Sequence, residues 1–212
     1  MKVLELFAGS RSFSKEAEKL GYDTFTVDIK DFDDIDYVVD ILDFDFDKIP
    51  FVPDVIWASP PCTHFSVLQI GRHWNKDHTP KTEQAKLSMK IVKKTIEIIK
   101  HFPGCKFFIE NPRAKLRKLD FMREFERATV WYCTYEHNCA KPTDIWSNHI
   151  YNPMFNKNGW KGRAECFAGN RNCHHEPSPR GSGSGGVQGM SGGNYARSVV
   201  PEELCKEILL SI

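Results

Sequence analysis

The chain has 212 residues, of which 41% are hydrophobic and 27% charged, and its formal net charge is +1. This length suits one domain with a buried core, and five Trp and 15 Phe argue against global disorder. No stretch reaches the roughly 18 apolar residues of a membrane span, and the N-terminal residues do not resemble a signal peptide. We therefore expect a cytoplasmic protein with no membrane partner. Seven Cys without a secretion signal indicate reduced thiols in catalytic, metal-binding or core positions.

Charge is distributed unevenly along the chain. Residues 1–60 carry 14 acidic and six basic side chains, whereas basic residues predominate over 61–212. A basic surface opposite an acidic one can attract a polyanion such as nucleic acid. Because charges also segregate by chance, this pattern alone leaves the partner open.

The first 60 residues alternate between strand and helix patterns. Residues 3–7 predict a buried strand that enters a turn, and apolar residues at helical spacing then lead to a capping glycine at Gly21. Further strands are predicted over 24–27, 38–42 and 55–58.

The clearest helix pattern covers residues 84–102. The positions expected to face the core are Leu87, Ile91, Ile98 and Phe102. Residues 107–109 then predict another buried strand. Strands that alternate with helices predict a doubly wound α/β domain with a parallel sheet and helices on both faces.

The pattern changes after about residue 128. Periodicity fades, polar and Cys residues accumulate, and residues 180–194 are rich in Gly and Ser, which is typical of a loop or linker. An amphipathic helix is predicted over 201–212, with Leu204, Ile208 and Leu209 facing inward. We therefore predict a core at 1–128, a small irregular insert at 129–192 and a C-terminal segment at 193–212 that returns to the core.

Two strand ends indicate a cofactor site. The first strand ends in the run Phe7, Ala8, Gly9 and Ser10, where a glycine lets a ligand approach the backbone. A Walker lysine and the G-x-G-x-x-G pattern are absent, so this is not a phosphate loop. Asp28 ends the second strand, where a carboxylate can bind two ribose hydroxyls. Together they favour an adenosine-bearing cofactor, although both features also occur for structural reasons alone.

Two further strand ends carry reactive groups. Cys62 follows two prolines after the fourth strand, and its thiolate would be a strong nucleophile. Glu110 ends the fifth strand, where a buried carboxylate suggests proton handling. A structural cysteine and a loop-capping carboxylate are the alternatives. Their occurrence beside the cofactor turn favours catalysis, because ligands bind at the carboxyl ends of parallel strands.

In this order the motifs resemble those of the DNA cytosine-5 methyltransferases. The segment Pro60-Pro61-Cys62 is similar to the nucleophile motif of that family, and Glu110-Asn111 is similar to its E-N motif. The cofactor-binding residues that the resemblance implies are Phe7, Ala8, Gly9, Ser10, Asp28, Ile29, Asp40, Ile41, Pro60, Ser198 and Val199. The resemblance covers about residues 1–128 and 193–212.

The resemblance implies a Rossmann-like fold, S-adenosylmethionine as methyl donor and double-stranded DNA as partner, with a base flipped out of the duplex. Cys62 would add to C6 of cytosine while Glu110 and Asn111 act at the same site, Glu110 holding N3 and the exocyclic amine. The resulting enamine makes C5 nucleophilic. An amino-methyltransferase needs no thiol, so Cys62 favours carbon methylation. The run from Lys141 to Asn148 is similar to compact phage or prophage members of the family.

The chain also departs from the family pattern. Arg11 and Ser12 stand where glycines are usual, and an Arg-Ser pair at 197–198 replaces Gly-Asn. The Arg-x-Arg motif that contacts cytosine has no clear counterpart, and Arg180 and Arg171 are the candidates. Methylation of RNA or a free nucleotide, and a catalytically silent DNA-binding module, therefore remain alternatives.

The insert is rich in metal-ligating residue types. The predicted zinc ligands are Cys133, Cys166, Cys173 and His175, with Cys139 or His174 as substitutes. A zinc ion can order a segment that has too few apolar residues for its own core. The spacing lacks a C-x-x-C pair, and a set of reduced thiols is the alternative. Cys105 and Cys205 lie among apolar residues and are predicted to be core positions.

Overall fold

A computed structural model describes residues 1–167, 170–171, 173, 175 and 198–212 of the chain. The strands in this part are β1 (Lys2–Leu6), β2 (Asp23–Asp28), β3 (Tyr37–Val38), β4 (Val55–Ala58), β5 (Lys106–Pro112), β6 (Glu126–Trp131) and β7 (Pro142–Ser147). The α-helices are α1 (Ser12–Lys19), α2 (Ile70–His73), α3 (Glu83–His101) and α4 (Glu202–Leu210). Within the described ranges, no helix combines the length and the apolar composition that crossing a bilayer requires.

The strands form one seven-stranded sheet in the order β3-β2-β1-β4-β5-β7-β6. The pairs among β1 to β5 are parallel, whereas β7 is antiparallel to both β5 and β6. The predicted Rossmann-like α/β fold is confirmed, but the expectation of an entirely parallel sheet is wrong at this end.

The antiparallel end of the sheet lies in a segment that the sequence pattern describes as irregular. In β7 the five residues from Thr143 to Ser147 are all buried, and three of them, Thr143, Asp144 and Ser147, are polar. A strand buried on both faces shows no alternation of polar and apolar residues, so period-two analysis does not detect it. Strands β6 and β7 therefore extend the central sheet, and the division into core, insert and C-terminal segment stays a prediction.

Helix α3 begins at a capping residue and covers almost the predicted range. The hydroxyl of Thr82 accepts a hydrogen bond from the Ala85 amide at 3.3 Å, which satisfies one of the free N–H groups of the first turn. Ile98 and Phe102 are buried as predicted, and Ile91 is partly buried. The prediction is wrong for Leu87, which is 49% exposed, and it missed the buried Ser88 and Thr95. Thr95 compensates its burial by donating to the Ile91 carbonyl at 2.9 Å, a contact that an apolar count misses.

The core lies on both faces of the sheet, because successive strand residues point to opposite sides. One face carries Leu4 and Leu6 of β1 against α3, and the other carries Val3 against α1 and α4. Cys105 is buried on the first face and Cys205 on the second, which confirms both as core residues. The inward face predicted for the last helix is confirmed as well. Its buried members include Leu204, Ile208 and Leu209.

Candidate active site

The parallel strands β1, β2, β4 and β5 end at one edge of the sheet, and the predicted site residues follow these ends. Gly9 and Asp28 come from the first two strands, and Cys62 and Glu110 from the next two. Because β7 runs the opposite way, its first residues and the last residues of β6 meet at the same edge. This register adds the segment from Tyr132 to Lys141 to the site.

A tight turn after β1 forms the cofactor side of this edge. Phe7 adopts a left-handed φ of 62°, and the Arg11 amide donates to the Ala8 carbonyl at 2.7 Å. A Cβ placed on Gly9 would lie 2.9 Å from the Phe32 ring and 3.4 Å from Oδ2 of Asp28. Any side chain at this position would displace the Phe32 ring, so the turn favours glycine, and it brings the backbone close to the Asp28 carboxylate.

The remaining predicted cofactor residues take different positions. Oδ1 of Asp28 accepts from the Lys30 amide at 3.0 Å, and Ile29 is 62% exposed beside it. Asp40 caps a short 3₁₀ helix by accepting from the Leu42 amide at 3.0 Å. The side chain of Ile41 is 5% exposed and packs in the core, which leaves its backbone as the part able to face a ligand.

The C-terminal segment returns to the start of α1. The Val200 amide donates to the Ser12 hydroxyl at 3.1 Å, and the Ser12 hydroxyl lies 2.8 Å from that of Ser10. Ser198 is exposed and Val199 is partly buried. Both directly precede Val200, which makes the contact with Ser12. A polar Ser12 in place of a glycine therefore has a structural partner in this segment.

Arg11, which also replaces a glycine, is accommodated by the backbone and by acidic partners. Its φ is 52°, in the left-handed region, and its guanidinium pairs with Glu18 and, at 3.4 Å, with Asp34. The side chain is thereby tied to α1 and to the loop after β2. These contacts explain how the turn forms without the usual glycine.

The loop after β4 presents the Cys62 thiol. Cys62 is partly exposed, and its carbonyl accepts the amides of Phe65 and Ser66, both at 3.0 Å, which closes a turn directly after the thiol. Asn111 is fully buried, and its Nδ2 donates to the Pro60 carbonyl at 2.9 Å. This bond joins the loop that carries Cys62 to the strand that carries Glu110.

The Glu110 carboxylate is 5% exposed and has two partners that sequence reasoning missed. The Tyr132 hydroxyl donates to Oε1 at 2.9 Å, and Nζ of Lys141 donates to the same oxygen at 3.3 Å. Lys141 is itself 5% exposed. The three groups form a buried network at the edge of the sheet, held together by the hydrogen bond from the Tyr132 amide to the Lys141 carbonyl.

The charges of this network act on the Cys62 thiol. Burial raises the pKa of the Cys62 thiol, the Glu110 carboxylate raises it further, and the Lys141 ammonium opposes both effects. Burial and the Glu110 carboxylate also raise the pKa of the Tyr132 hydroxyl well above its ordinary value, so this hydroxyl acts as a hydrogen-bond donor.

The structure does not identify an arginine that would contact the cytosine base among the two candidates, Arg180 and Arg171. Arg180 lies outside the described residues, and Arg171 is exposed, between Cys166 and Cys173 in the chain. Among the residues that the structure describes, the cation that contacts the Glu110 carboxylate is Lys141. Lys141 immediately precedes β7, a strand that the sequence pattern does not reveal. Its proximity to Glu110 follows from the register of β5 and β7.

The four residues predicted as zinc ligands lie together next to this network. The side-chain ligand atoms of Cys133, Cys166, Cys173 and His175 are all within 4.8 Å of one another. Of the predicted substitutes, Cys139 packs separately with the core, and His174 lies outside the described residues.

No protein-family model matches the chain. The chain is 34% identical over 155 residues to a probable DNA (cytosine-5)-methyltransferase of Frog virus 3 (isolate Goorha), a match that covers 70% of this chain and 71% of the viral protein. Two solved structures are similar to it. A crystal structure of a triple mutant of Spodoptera frugiperda DNMT2 has 18% identity and a TM-score of 0.47, with 77% of this chain and 55% of that chain covered. The S. pombe Dnmt2 methyltransferase has 14% identity and a TM-score of 0.42, with 69% and 48% covered, so the chain spans about half the length of both.

Proposed function

The chain belongs to the DNA cytosine-5 methyltransferase family, and on this basis we propose that it transfers a methyl group from S-adenosylmethionine to C5 of a cytosine flipped out of double-stranded DNA. The observation that carries the proposal is the placement of the partly exposed Cys62 thiol near the buried Glu110 carboxylate, with Asn111 joining the loop of Cys62 to the strand of Glu110. By likeness to the viral relative, we assign the chain to the compact phage or viral type that acts in the host cytoplasm.

The residues at the ends of β1 and β2 fit the cofactor. Gly9 lies close to the Phe32 ring and to the Asp28 carboxylate, and this carboxylate would accept the ribose hydroxyls of the cofactor. The exposed Ile29 offers an apolar surface for the adenine ring. When bound, S-adenosylmethionine supplies an electrophilic methyl group at this edge of the sheet.

Cys62 acts as the nucleophile. Its thiolate forms a bond to C6 of cytosine, and the electron pair of the C5–C6 double bond moves into the ring, which makes C5 nucleophilic. After methylation, C5 loses its proton, and the C6–S bond breaks to release the thiolate and restore the aromatic ring. The exposure of Cys62 gives a flipped base access to the sulfur.

Glu110 orients and polarises the base. Within the described residues, both hydrogen bonds to its carboxylate go to Oε1, which leaves Oε2 for the exocyclic amine and N3 of cytosine. A proton held between the Glu110 carboxyl group and N3 neutralises the negative charge that develops on N3 when the thiolate adds to C6.

Lys141 takes the role of the missing arginine as the cation at the base-binding site. Its ammonium holds Glu110 in one orientation and lowers the pKa of the Cys62 thiol. A Lys141→Arg variant retains the charge and is expected to keep more of kcat than Lys141→Met. Equal kcat in the two variants would contradict this role.

The covalent step is tested with a duplex that contains 5-fluorocytosine, because fluorine at C5 prevents release of the enzyme after methylation. With S-adenosylmethionine present, we expect a covalent adduct that peptide mapping assigns to Cys62. Cys62→Ala is expected to form no adduct and to retain cofactor binding by calorimetry, whereas a matched Cys105→Ala variant, which alters a buried core thiol, keeps the adduct. An adduct at another cysteine, or methyl transfer by Cys62→Ala, would overturn the mechanism.

The substrate is tested by supplying radiolabelled S-adenosylmethionine with duplex DNA, RNA or dCMP side by side. Label in DNA at C5 of cytosine supports the proposal. Label confined to RNA or dCMP would assign the same chemistry to a different substrate, and DNA binding without transfer would favour a silent binding module. A Glu110→Gln variant is expected to lower turnover by about 100-fold or more with little change in DNA affinity, as loss of a proton-handling group does.

A further inference from the structure

Three thiols and one imidazole form a buried cluster next to the proposed active site. Cys133 is fully buried, and Cys166 and His175 are each 6% exposed. With the partly buried Cys173 they place their ligand atoms within 4.8 Å of one another. All three thiols are free rather than paired in a disulfide. Four soft donors at these distances match the composition of a closed zinc site.

The distances suit a tetrahedral ion. A zinc–sulfur bond of about 2.3 Å places two sulfur ligands about 3.8 Å apart at a tetrahedral angle. The ligand atoms of the four residues all lie within 4.8 Å of one another, so a contraction of roughly 1 Å in the widest pair would complete the coordination.

Two polar groups around the cluster also point to a metal. Nε2 of His175 is buried without a hydrogen-bond partner among the described residues, which is costly for an imidazole nitrogen. The Asn170 amide donates to Sγ of Cys166 at 3.3 Å, the kind of outer hydrogen bond that stabilises a metal-bound thiolate.

The segment that carries three of these residues buries few apolar side chains. Residues 161–167 form no helix or strand, and this stretch is held by the Arg163 side chain, which pairs with Glu203 and Glu207. Among the described residues, the hydrophobic cluster around the thiols has three buried members, Cys133, Ala140 and Cys166. A metal ion would add a cross-link where apolar burial is small.

We propose that Cys133, Cys166, Cys173 and His175 bind one Zn²⁺ as a structural site. Each of the three thiols loses its proton to solvent and donates a sulfur electron pair to the metal, and the neutral imidazole donates the fourth pair. All four positions are then filled by protein, so the ion anchors the segment and takes no substrate.

The site also bears on the geometry of the active site. Cys133 directly follows Tyr132 in the 3₁₀ helix Tyr132–Tyr135, and the Tyr132 hydroxyl donates to Glu110. A metal bound to Cys133 therefore fixes the turn from which Tyr132 reaches the carboxylate. Tyr132 is a positioning residue in this arrangement, and zinc restricts its movement.

The experiment measures metal content of the full chain purified without chelators, by elemental analysis. We expect about one zinc ion per chain, and in Cys166→Ala or Cys173→Ala a loss of affinity larger than the about 100-fold that an outer-sphere change can cause. The matched control is Cys139→Ala, which alters a buried thiol of the same region outside the cluster and is expected to keep its zinc. Circular dichroism monitors folding in each variant.

Cobalt substitution keeps the proposal testable if the alanine variants do not fold. Co²⁺ is expected to give tetrahedral visible bands with thiolate charge transfer, and His175→Cys to retain the metal and raise that charge-transfer intensity by about a third, as four thiolates replace three. A chain that folds without zinc and gives no tetrahedral cobalt spectrum would overturn the proposal. A denatured thiol count below the seven cysteines of the chain, which indicates a disulfide in the cluster, would also overturn it. None of these readouts depends on methyl transfer, so they are separate from the tests of the proposed function.

Discussion

The buried ion pair between Glu110 and Lys141 leads us to predict how the free energy of unfolding changes when either charge is removed. The side chains of Lys141 and Glu110 are 6% and 7% exposed, and Nζ and Oε1 are 3.3 Å apart. At an effective dielectric constant of about 20, two unit charges at this distance attract by about 5 kcal/mol. The cost of removing both charges from water offsets much of this attraction, so the pair stabilises the fold little in total.

Neutralising one partner is a different perturbation, because it leaves the other charge buried without its counterion. We expect Lys141→Met or Glu110→Gln alone to lower the free energy of unfolding by about 3 to 5 kcal/mol, and the double variant to lower it by much less than the sum. Urea denaturation of the four proteins gives this double-mutant cycle, with an expected coupling of about 3 kcal/mol.

A matched cycle on an exposed pair provides the control. Lys100 and Glu124 lie 3.0 Å apart, but about half of each side chain is exposed. Water screens this pair, so we expect a coupling below about 1 kcal/mol. If the changes at Glu110 and Lys141 add to within about 0.5 kcal/mol, the two charges do not interact across a buried contact, and the assignment of Lys141 as the cation of the site fails.

Two further predictions concern the nucleophile and the cofactor turn. Because burial raises the pKa of the Cys62 thiol, the reactive thiolate is scarce at neutral pH, and alkylation of Cys62 by iodoacetamide is expected to accelerate up to about tenfold per pH unit from about pH 7 to about pH 9. Lys141→Met removes a charge that lowers this pKa and should move the profile to higher pH. Gly9→Ala places a Cβ 2.9 Å from the Phe32 ring and should weaken S-adenosylmethionine binding at least about tenfold, which is about 1.4 kcal/mol.

Each of these two predictions can be contradicted by a defined result. A plateau in the alkylation rate below about pH 8 would mean that the thiol pKa is not raised. For the turn, Gly71→Ala is the control, since its Cβ would meet nothing within 4 Å. Equal cofactor affinity in the Gly9 and Gly71 variants, measured by calorimetry, would show that the Gly9 turn does not contact the ligand.

The sequence was sufficient to predict the α/β class, the core positions of the last helix and which candidate groups meet at one edge of the sheet. Gly9, Asp28, Cys62 and Glu110 each follow a short apolar run, and the order of such runs indicates which ends share an edge of a parallel sheet. The members of the Cys/His cluster could also be predicted, because Cys and His are frequent in a segment that has few apolar residues.

The groups around the Glu110 carboxylate, Lys141 and Tyr132, could be identified from the tertiary structure alone. Lys141 is 31 positions away in the chain, and it reaches Glu110 because β7 pairs with β5 in the antiparallel direction. The direction and register of β7 follow from the packing of its buried residues, several of which are polar. A strand of this kind shows no alternation of polar and apolar residues in the sequence. The exposure of Leu87 has the same origin, since hydroxyl residues of α3 occupy the core face. Local patterns specify elements and chemical groups, whereas the contacts between distant elements depend on how their buried surfaces fit together.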